Sequence, residues 1–308
     1  MNYKRYVAPV AGFSLALALA GCSTPAQDGV QVAAAFYPLE YAVSSVAGSD
    51  VTVTALTTPG VEAHDVELTP RQVAAVVDAD LVVYLSGFQP AVDEAVKQAD
   101  PARVLDVAPY AGLLEESEEN ALVEHTEGDE DHDHGAIDPH FWLDPLRQAD
   151  VTAAIADRLA EVDPDQADTL AQNAASAREE LTELDSAFSK GLETCERREL
   201  FTSHSAFGYL AQRYDLEQIS VVGISPNVEP SGARIAEVQK LASEYDATTI
   251  FFETTASDAV AASVAADLGL ETAVLDPIES IGSQSVGEDY PSIMRANLTA
   301  IQEANDCG

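Results

Sequence analysis

Positive charge is scarce in this chain. Only 15 lysines and arginines stand against 53 aspartates and glutamates in 308 residues, a formal charge of −38 with the histidines neutral. That excludes nucleic acid as a partner, because phosphate binding needs a basic surface. An acidic surface instead suits cations and solubility in salt. Cysteine is rarer still, with three residues, Cys22, Cys195 and Cys307. Long apolar runs are also missing: the one at the N-terminus ends at Ala20 and is too short for a comfortable membrane span. No convincing internal repeat is visible. Neither a His-Glu-x-x-His helix nor a nucleophile elbow occurs, which removes the usual sequence marks of a hydrolase.

What the N-terminus does hold is Lys4 and Arg5, an apolar stretch interrupted by Pro9 and a few small residues, and then Leu19-Ala20-Gly21-Cys22. This is the layout of a secretory signal. Its Leu-Ala-Gly-Cys ending resembles the bacterial lipobox, in which the chain is cut before the cysteine and the new N-terminus carries lipid. Residues 1–21 are therefore expected to be the signal, Cys22 the lipid anchor and 22–29 a short flexible tether. Each buried lipid methylene would contribute about 0.8 kcal/mol to anchoring. Losing Lys4 and Arg5 leaves 13 basic residues against 53 acidic ones, a mature charge of −40. With Cys22 assigned, Cys195 and Cys307 form an even pair in an exported chain, which predicts a disulfide stabilising by about 4–5 kcal/mol through loop closure. Two free buried thiols are the alternative.

The remainder alternates between two patterns. Residues 30–39, 51–57, 81–86 and 103–107 are β-branched, apolar runs with little polar alternation, as expected of strands covered on both faces. Between them lie helical stretches at 39–47, 71–78 (entered through Thr69 and Pro70) and 91–98. From Asp165 to Lys190 there is neither glycine nor proline, which predicts one helix about 39 Å long. Alternation then resumes, with strands at 199–203, 219–224, 248–253 and 272–275 and helices at 206–214, 231–245, 257–268 and 291–304. The expected architecture is two α/β lobes with parallel or mixed sheets: an N-terminal lobe over 30–160 with a loop at 115–136, a linker helix over 161–190, and a C-terminal lobe over 191–308. A cleft between such lobes is a favoured ligand site.

The six histidines divide three and three. His125, His132 and His134 lie in the tract 115–134, which holds ten acids and no basic residue in twenty positions. That tract reads as a solvated acidic loop with a capacity for weak metal capture. His64, His140 and His204 each stand alone in a turn marked by Gly, Pro or Ser beside an expected strand or helix. One such histidine reads as an isolated polar tip, but six in this distribution point to a transition metal. Histidines in strand-to-helix loops converge outside the C-terminal ends of a sheet. Asp276, in Leu275-Asp276-Pro277, ends a strand in the same way. Three imidazoles and one carboxylate would make a tetrahedral set suited to Zn²⁺, with Zn–N of about 2.0–2.1 Å. Asp138, Asp144 and Glu253 are candidates to orient the imidazoles, with helix capping an equal possibility for the aspartates beside proline. Phe141 and Trp142 are expected to form the wall behind His140.

The run Asp138-Pro139-His140-Phe141-Trp142-Leu143-Asp144-Pro145 is the most specific of several segments that resemble the substrate-binding proteins of bacterial zinc and manganese ABC transporters. The others are residues 60–70, 202–210, Glu229-Pro230-Ser231, Ile250-Phe251-Phe252-Glu253 and Leu275-Asp276-Pro277, so the resemblance covers essentially the whole mature chain. It implies two lobes joined by a rigid helix, with metal held between them for delivery to a membrane permease and its ATPase. It also implies an extracytoplasmic monomer anchored to the cell membrane, at the cell surface or in a periplasm. Carried over by position, the ligands fall on His64, His140, His204 and Asp276; water or another carboxylate is the alternative fourth group. A histidine at the third position, His204, marks the zinc branch, as does a charged, His-rich loop before the second ligand. The chain departs from the pattern after His64, where Asp65-Val66 replaces the usual aromatic and proline. The expected function is thus capture of Zn²⁺, without catalysis. The competing readings are a manganese or iron receptor, a zinc hydrolase with water as fourth ligand, and an adhesin resting on surface anchoring alone.

Overall fold

A computed structural model describes residues 29–48, 51–115, 137–254 and 259–308. The expected signal, Cys22, and the histidines 125, 132 and 134 lie outside these residues. The first sheet is built from β1 (Val30–Ala34), β2 (Val51–Ala55), β3 (Leu81–Tyr84) and β4 (Val104–Asp106), connected by helices α1 (Tyr37–Val46), α2 (Pro70–Asp78) and α3 (Pro90–Val96). All its strands run parallel in the order β2-β1-β3-β4. Each connecting helix opens with a proline in its first turn, where the missing N–H costs nothing. In α2, Thr69 and Gln72 add a reciprocal capping box. The strand expected over 30–39 stops at Ala34, because α1 begins at Tyr37 with Pro38 in its first turn.

A short helix α4 (Ala108–Ala111) leads into a two-residue antiparallel ribbon, β5 (Leu114–Glu115) with β6 (Ile137–Asp138), which brackets the acidic tract. Helix α5 (Pro145–Val162) follows and was not expected from the sequence. Its buried face is made of Gln148, Ala149, Thr152 and Ala156 beside Val151, Ile155 and Leu159, so small and polar residues dilute the apolar period. Helix α6 (Ala167–Gly191) packs along it and spans 25 residues, the long helix expected.

The second sheet comprises β7 (Glu199–Thr202), β8 (Glu217–Ser220), β9 (Thr249–Phe252) and β10 (Glu271–Val274), with α7 (Gly208–Arg213), α8 (Gly232–Glu244) and α9 (Ala259–Leu268) between them; α10 (Tyr290–Asn305) closes the chain. Read as β8-β7-β9-β10, it is again parallel and repeats the order of the first sheet. The two lobes therefore share a topology that no sequence repeat betrays. One large core joins both lobes through α5, α6 and α10, while Phe201, Ile219, Val238, Ile250 and Val264 form a smaller core under α8 and α9. Cys195 and Cys307 form the expected disulfide. Among the described residues, no helix is long and apolar enough to cross a membrane.

Candidate metal centre

The C-terminal strand ends of the two sheets face a common cleft. His64 comes from the loop after β2, His204 from the turn after β7, and His140 from the turn between β6 and α5. Together with Glu279, after β10, they place one donor atom each within 4.8 Å of all the others. The Nε2 atoms of His64, His140 and His204 lie 3.4, 3.2 and 3.7 Å from Glu279 Oε1. The Nε2 atoms of His64 and His140 are 3.2 Å apart. His140, His204 and Glu279 are buried, and His204 Nε2 has no hydrogen-bond partner. Three ring nitrogens crowded on one buried carboxylate, with His204 Nε2 left unpartnered, are costly to bury unless a cation takes them up.

The surrounding residues fix the ring orientations. Asp138 Oδ1 accepts from the backbone N–H of His140 at 2.9 Å and lies 2.7 Å from its Nδ1, so Nε2 is turned to the cleft. Glu253 does the same for His204 through Nδ1, and also accepts from the Ser203 hydroxyl at 2.6 Å. The His64 ring meets Phe88 edge-on, and its backbone N–H donates to Glu62 at 2.8 Å. Phe141 and Trp142 are fully buried; the Trp142 ring lies 5.2 Å from that of His140, and its Nε1–H donates to the Pro277 carbonyl at 2.7 Å. Asp144, in contrast, caps α5 by accepting from Leu146 and Arg147 and pairs with the Arg147 and Arg213 guanidiniums, with no imidazole partner among the described residues.

Asp276 does not join the cluster. Its carboxylate accepts from the Ile278 N–H at 2.8 Å and from the Thr254 hydroxyl at 3.4 Å, which makes it a turn-former. The turn holds Ile278 at φ +60°, a left-handed conformation that a β-branched residue adopts only under constraint. The consequence is that the side chain three positions on, Glu279, enters the cleft in place of Asp276. Sequence reasoning missed Glu279 because nothing in Asp276-Pro277-Ile278-Glu279 marks Ile278 for that kink. A second carboxylate near the site, proposed in general terms, was the only available signal.

Burial opposes charge on His140, but the carboxylates of Asp138 and Glu279 outweigh it and raise the imidazole to about 10. Burial holds His64 below its ordinary range. Burial would raise Glu279, yet its bonds to His140 and His64 keep it well below the usual carboxylate range. Glu62 is pushed up to about 8, first by burial and then by the charge of Glu279.

A two-lobed α/β binding protein that offers a cation three imidazoles and one carboxylate in its cleft is the class these features define. The chain belongs to the ZnuA family, described as zinc-uptake complex component A, periplasmic, which matches residues 32–304. It is 35% identical over 300 residues to the zinc-binding lipoprotein AdcA of Streptococcus pneumoniae, covering 94% of this chain but 59% of AdcA. The chain thus spans well under two thirds of that relative. It is 33% identical over 283 residues to the high-affinity zinc uptake system protein ZnuA of Bacillus subtilis, covering 90% of this chain and 88% of that one. The solved structure of Zn(II)-bound AdcA from S. pneumoniae superposes with a TM-score of 0.73 at 31% identity, over 90% of this chain and 58% of AdcA.

Proposed function

We propose that this protein is the zinc receptor of an ABC-type importer: it captures Zn²⁺ between its lobes and hands it to a membrane permease driven by its ATPase. The observation that carries this reading is the convergence of three imidazole Nε2 atoms on the buried Glu279 carboxylate, within 4.8 Å of one another. His64, His140, His204 and Glu279 are the ligands in this reading; Asp138 and Glu253 orient two of them, and Asp276 shapes the turn. An N₃O set favours zinc over manganese, which prefers more oxygen. Glu279 fills the position that a catalytic ion keeps for water, which supports a carrier over a hydrolase. The chain is held at the outer membrane face by lipid on Cys22, and the tract 115–134 is an accessory collector of zinc. Calorimetric titration of the purified protein tests the reading. One tight zinc site, weak manganese binding, and survival of the tight site when 115–134 is deleted are expected; tight binding that disappears with the tract would defeat it.

The raised pKa of His140 adds a second expectation. Zinc needs the Nε2 lone pair, so binding near neutral pH must displace the His140 proton, whereas His64 is already neutral. Affinity should therefore rise by about tenfold per unit between about pH 6 and 9. Titrations in two buffers of different ionisation heat should report release of about one proton per zinc. A binding enthalpy independent of the buffer would contradict this protonation state.

A further inference from the structure

The loops that carry His64 and Glu279 belong to opposite lobes, and they meet at two glycines. Gly60 stands at φ +76°, a conformation that favours glycine. A Cβ on Gly282 would lie 2.8 Å from Gly60 Cα and 3.3 Å from Gly60 N, so the two backbones touch with no side chain between them. Gly282 itself is not in the left-handed region, and space alone restricts it. The contact is flanked by hydrogen bonds that cross the cleft in the same place. The Gly60 N–H donates to Ser280 Oγ at 2.7 Å, and the Ala63 N–H donates to Glu279 Oε2 at 3.4 Å. Ser280 adjoins Glu279, and Ala63 adjoins His64, so each bond ties one cluster residue's loop directly to the other. At the rim, Asn227 donates to Asp65 at 2.7 Å.

Resting on the zinc-receptor reading, we propose that the Gly60–Gly282 contact with its Ser280 hydrogen bond is a latch that sets how fast the bound ion leaves. Gly60, Gly282 and Ser280 act as positioning residues. An ion held by His64 and His140 on one side and His204 and Glu279 on the other can leave only when the two sides part. The 220-residue separation of Gly60 and Ser280 means that no local chain geometry holds these loops together. Trp142, which donates to the Pro277 carbonyl, and Tyr37, whose N–H donates to the Glu279 carbonyl, anchor the base of the Glu279 loop, while the glycine contact and the hydrogen bonds beside it tie the tips of the two loops together. Ligand constellations tolerate displacements of about 0.5 Å. A methyl group forced into a 2.8 Å gap exceeds that. In this proposal the latch closes once the ion is seated, so it bears on escape far more than on capture.

The test is stopped-flow mixing of zinc-loaded full-length protein with excess chelator, alongside association rates from mixing apo-protein with zinc. Gly282→Ala is expected to speed dissociation by about tenfold or more while changing association by less than about threefold. Ser280→Ala, which adds no bulk and removes one hydrogen bond, should speed dissociation by about two- to tenfold. A merely structural role would lower the unfolding temperature without separating the two rates. Unchanged dissociation in both variants of a wild-type chain that does bind zinc overturns the latch alone. A wild-type chain that binds no zinc overturns the receptor reading and the latch together. If Gly282→Ala does not fold, the Ser280→Ala rate decides.

Discussion

Replacing Glu279 with alanine is expected to weaken zinc binding by more than a hundredfold. Zinc held by four protein donors binds with about 10–16 kcal/mol, so each donor accounts for about 3 kcal/mol, or over a hundredfold in affinity. The loss falls on a buried site, where water is a poor substitute because the surrounding wall is apolar: Phe36, Phe88 and Trp142 pack ring against ring behind the imidazoles. Glu279→Gln preserves the shape but removes the negative charge and half of the acceptor capacity, so it should fall between the alanine variant and wild type. Asp276→Ala provides the contrast. It removes the acceptor that holds the Ile278 N–H, and with it the constraint on the kink, so the ligand is kept but its aim is lost. A second-sphere loss of this kind costs about 10–100-fold. Competition against a chromophoric chelator measures all three. If Asp276→Ala abolished binding while Glu279→Ala left it intact, the carboxylate assignment would be reversed.

That pair of residues also marks where reading the sequence stopped. The histidines were accessible because each sits in a turn at the end of a regular element, and such turns collect at one edge of a parallel sheet. Asp138 and Glu253 were accessible for the same reason, as carboxylates two residues from a histidine or at the end of a neighbouring strand. Glu279 was not, because its direction depends on the backbone of Ile278, whose left-handed φ of +60° is imposed by the hydrogen bond its N–H donates to Asp276 and not by its own type. The fold divided along a similar line. Both lobes were visible as alternation of β-branched runs with capped helices, and α6 as 26 positions free of helix breakers. Helix α5 was hidden although Asp144 and Pro145 announce it as plainly as Thr69 and Pro70 announce α2. Its face toward the core uses Gln148, which donates to the Pro38 carbonyl, and Thr152, which donates to the Gln148 carbonyl, where an apolar period would require leucine or valine. A helix packed against α1, α4 and α6 can satisfy nearby carbonyls with polar side chains, and hydropathy then underreports it.

Removing the Cys195–Cys307 disulfide is expected to cost about 4–5 kcal/mol of folding stability, because it closes a loop of 112 residues and so restricts the unfolded chain strongly. That is a large part of the roughly 5–15 kcal/mol that a protein of this kind commands. The native contacts at the bridge do not depend on it. Asn305 Nδ2 donates to the Arg197 and Glu199 carbonyls, Arg197 donates to the Ala304 carbonyl, and Gln302 donates to the Gly191 carbonyl, so the end of α10 stays docked against the end of α6 in the folded state. The loss therefore arises mainly from the freed unfolded ensemble and should appear as a lower denaturant midpoint with little change in the folded structure. Zinc affinity at 25 °C should change by less than about threefold in the Cys195→Ser, Cys307→Ser double variant. The reason is distance. Tyr290, at the start of α10, donates to the Trp142 carbonyl beside His140 at 2.5 Å, whereas Cys307 lies beyond the last turn of that 16-residue helix. At about 1.5 Å per residue the bridge sits about 24 Å from the cluster end of the helix. Urea unfolding of oxidised and doubly substituted protein, with and without zinc, separates the two effects. Bound zinc should raise both midpoints by a similar free energy, since it acts on the cleft and the disulfide acts on the unfolded chain. A double variant that kept its midpoint but lost zinc affinity would mean that the bridge acts on the site through α10, and that the distance argument fails.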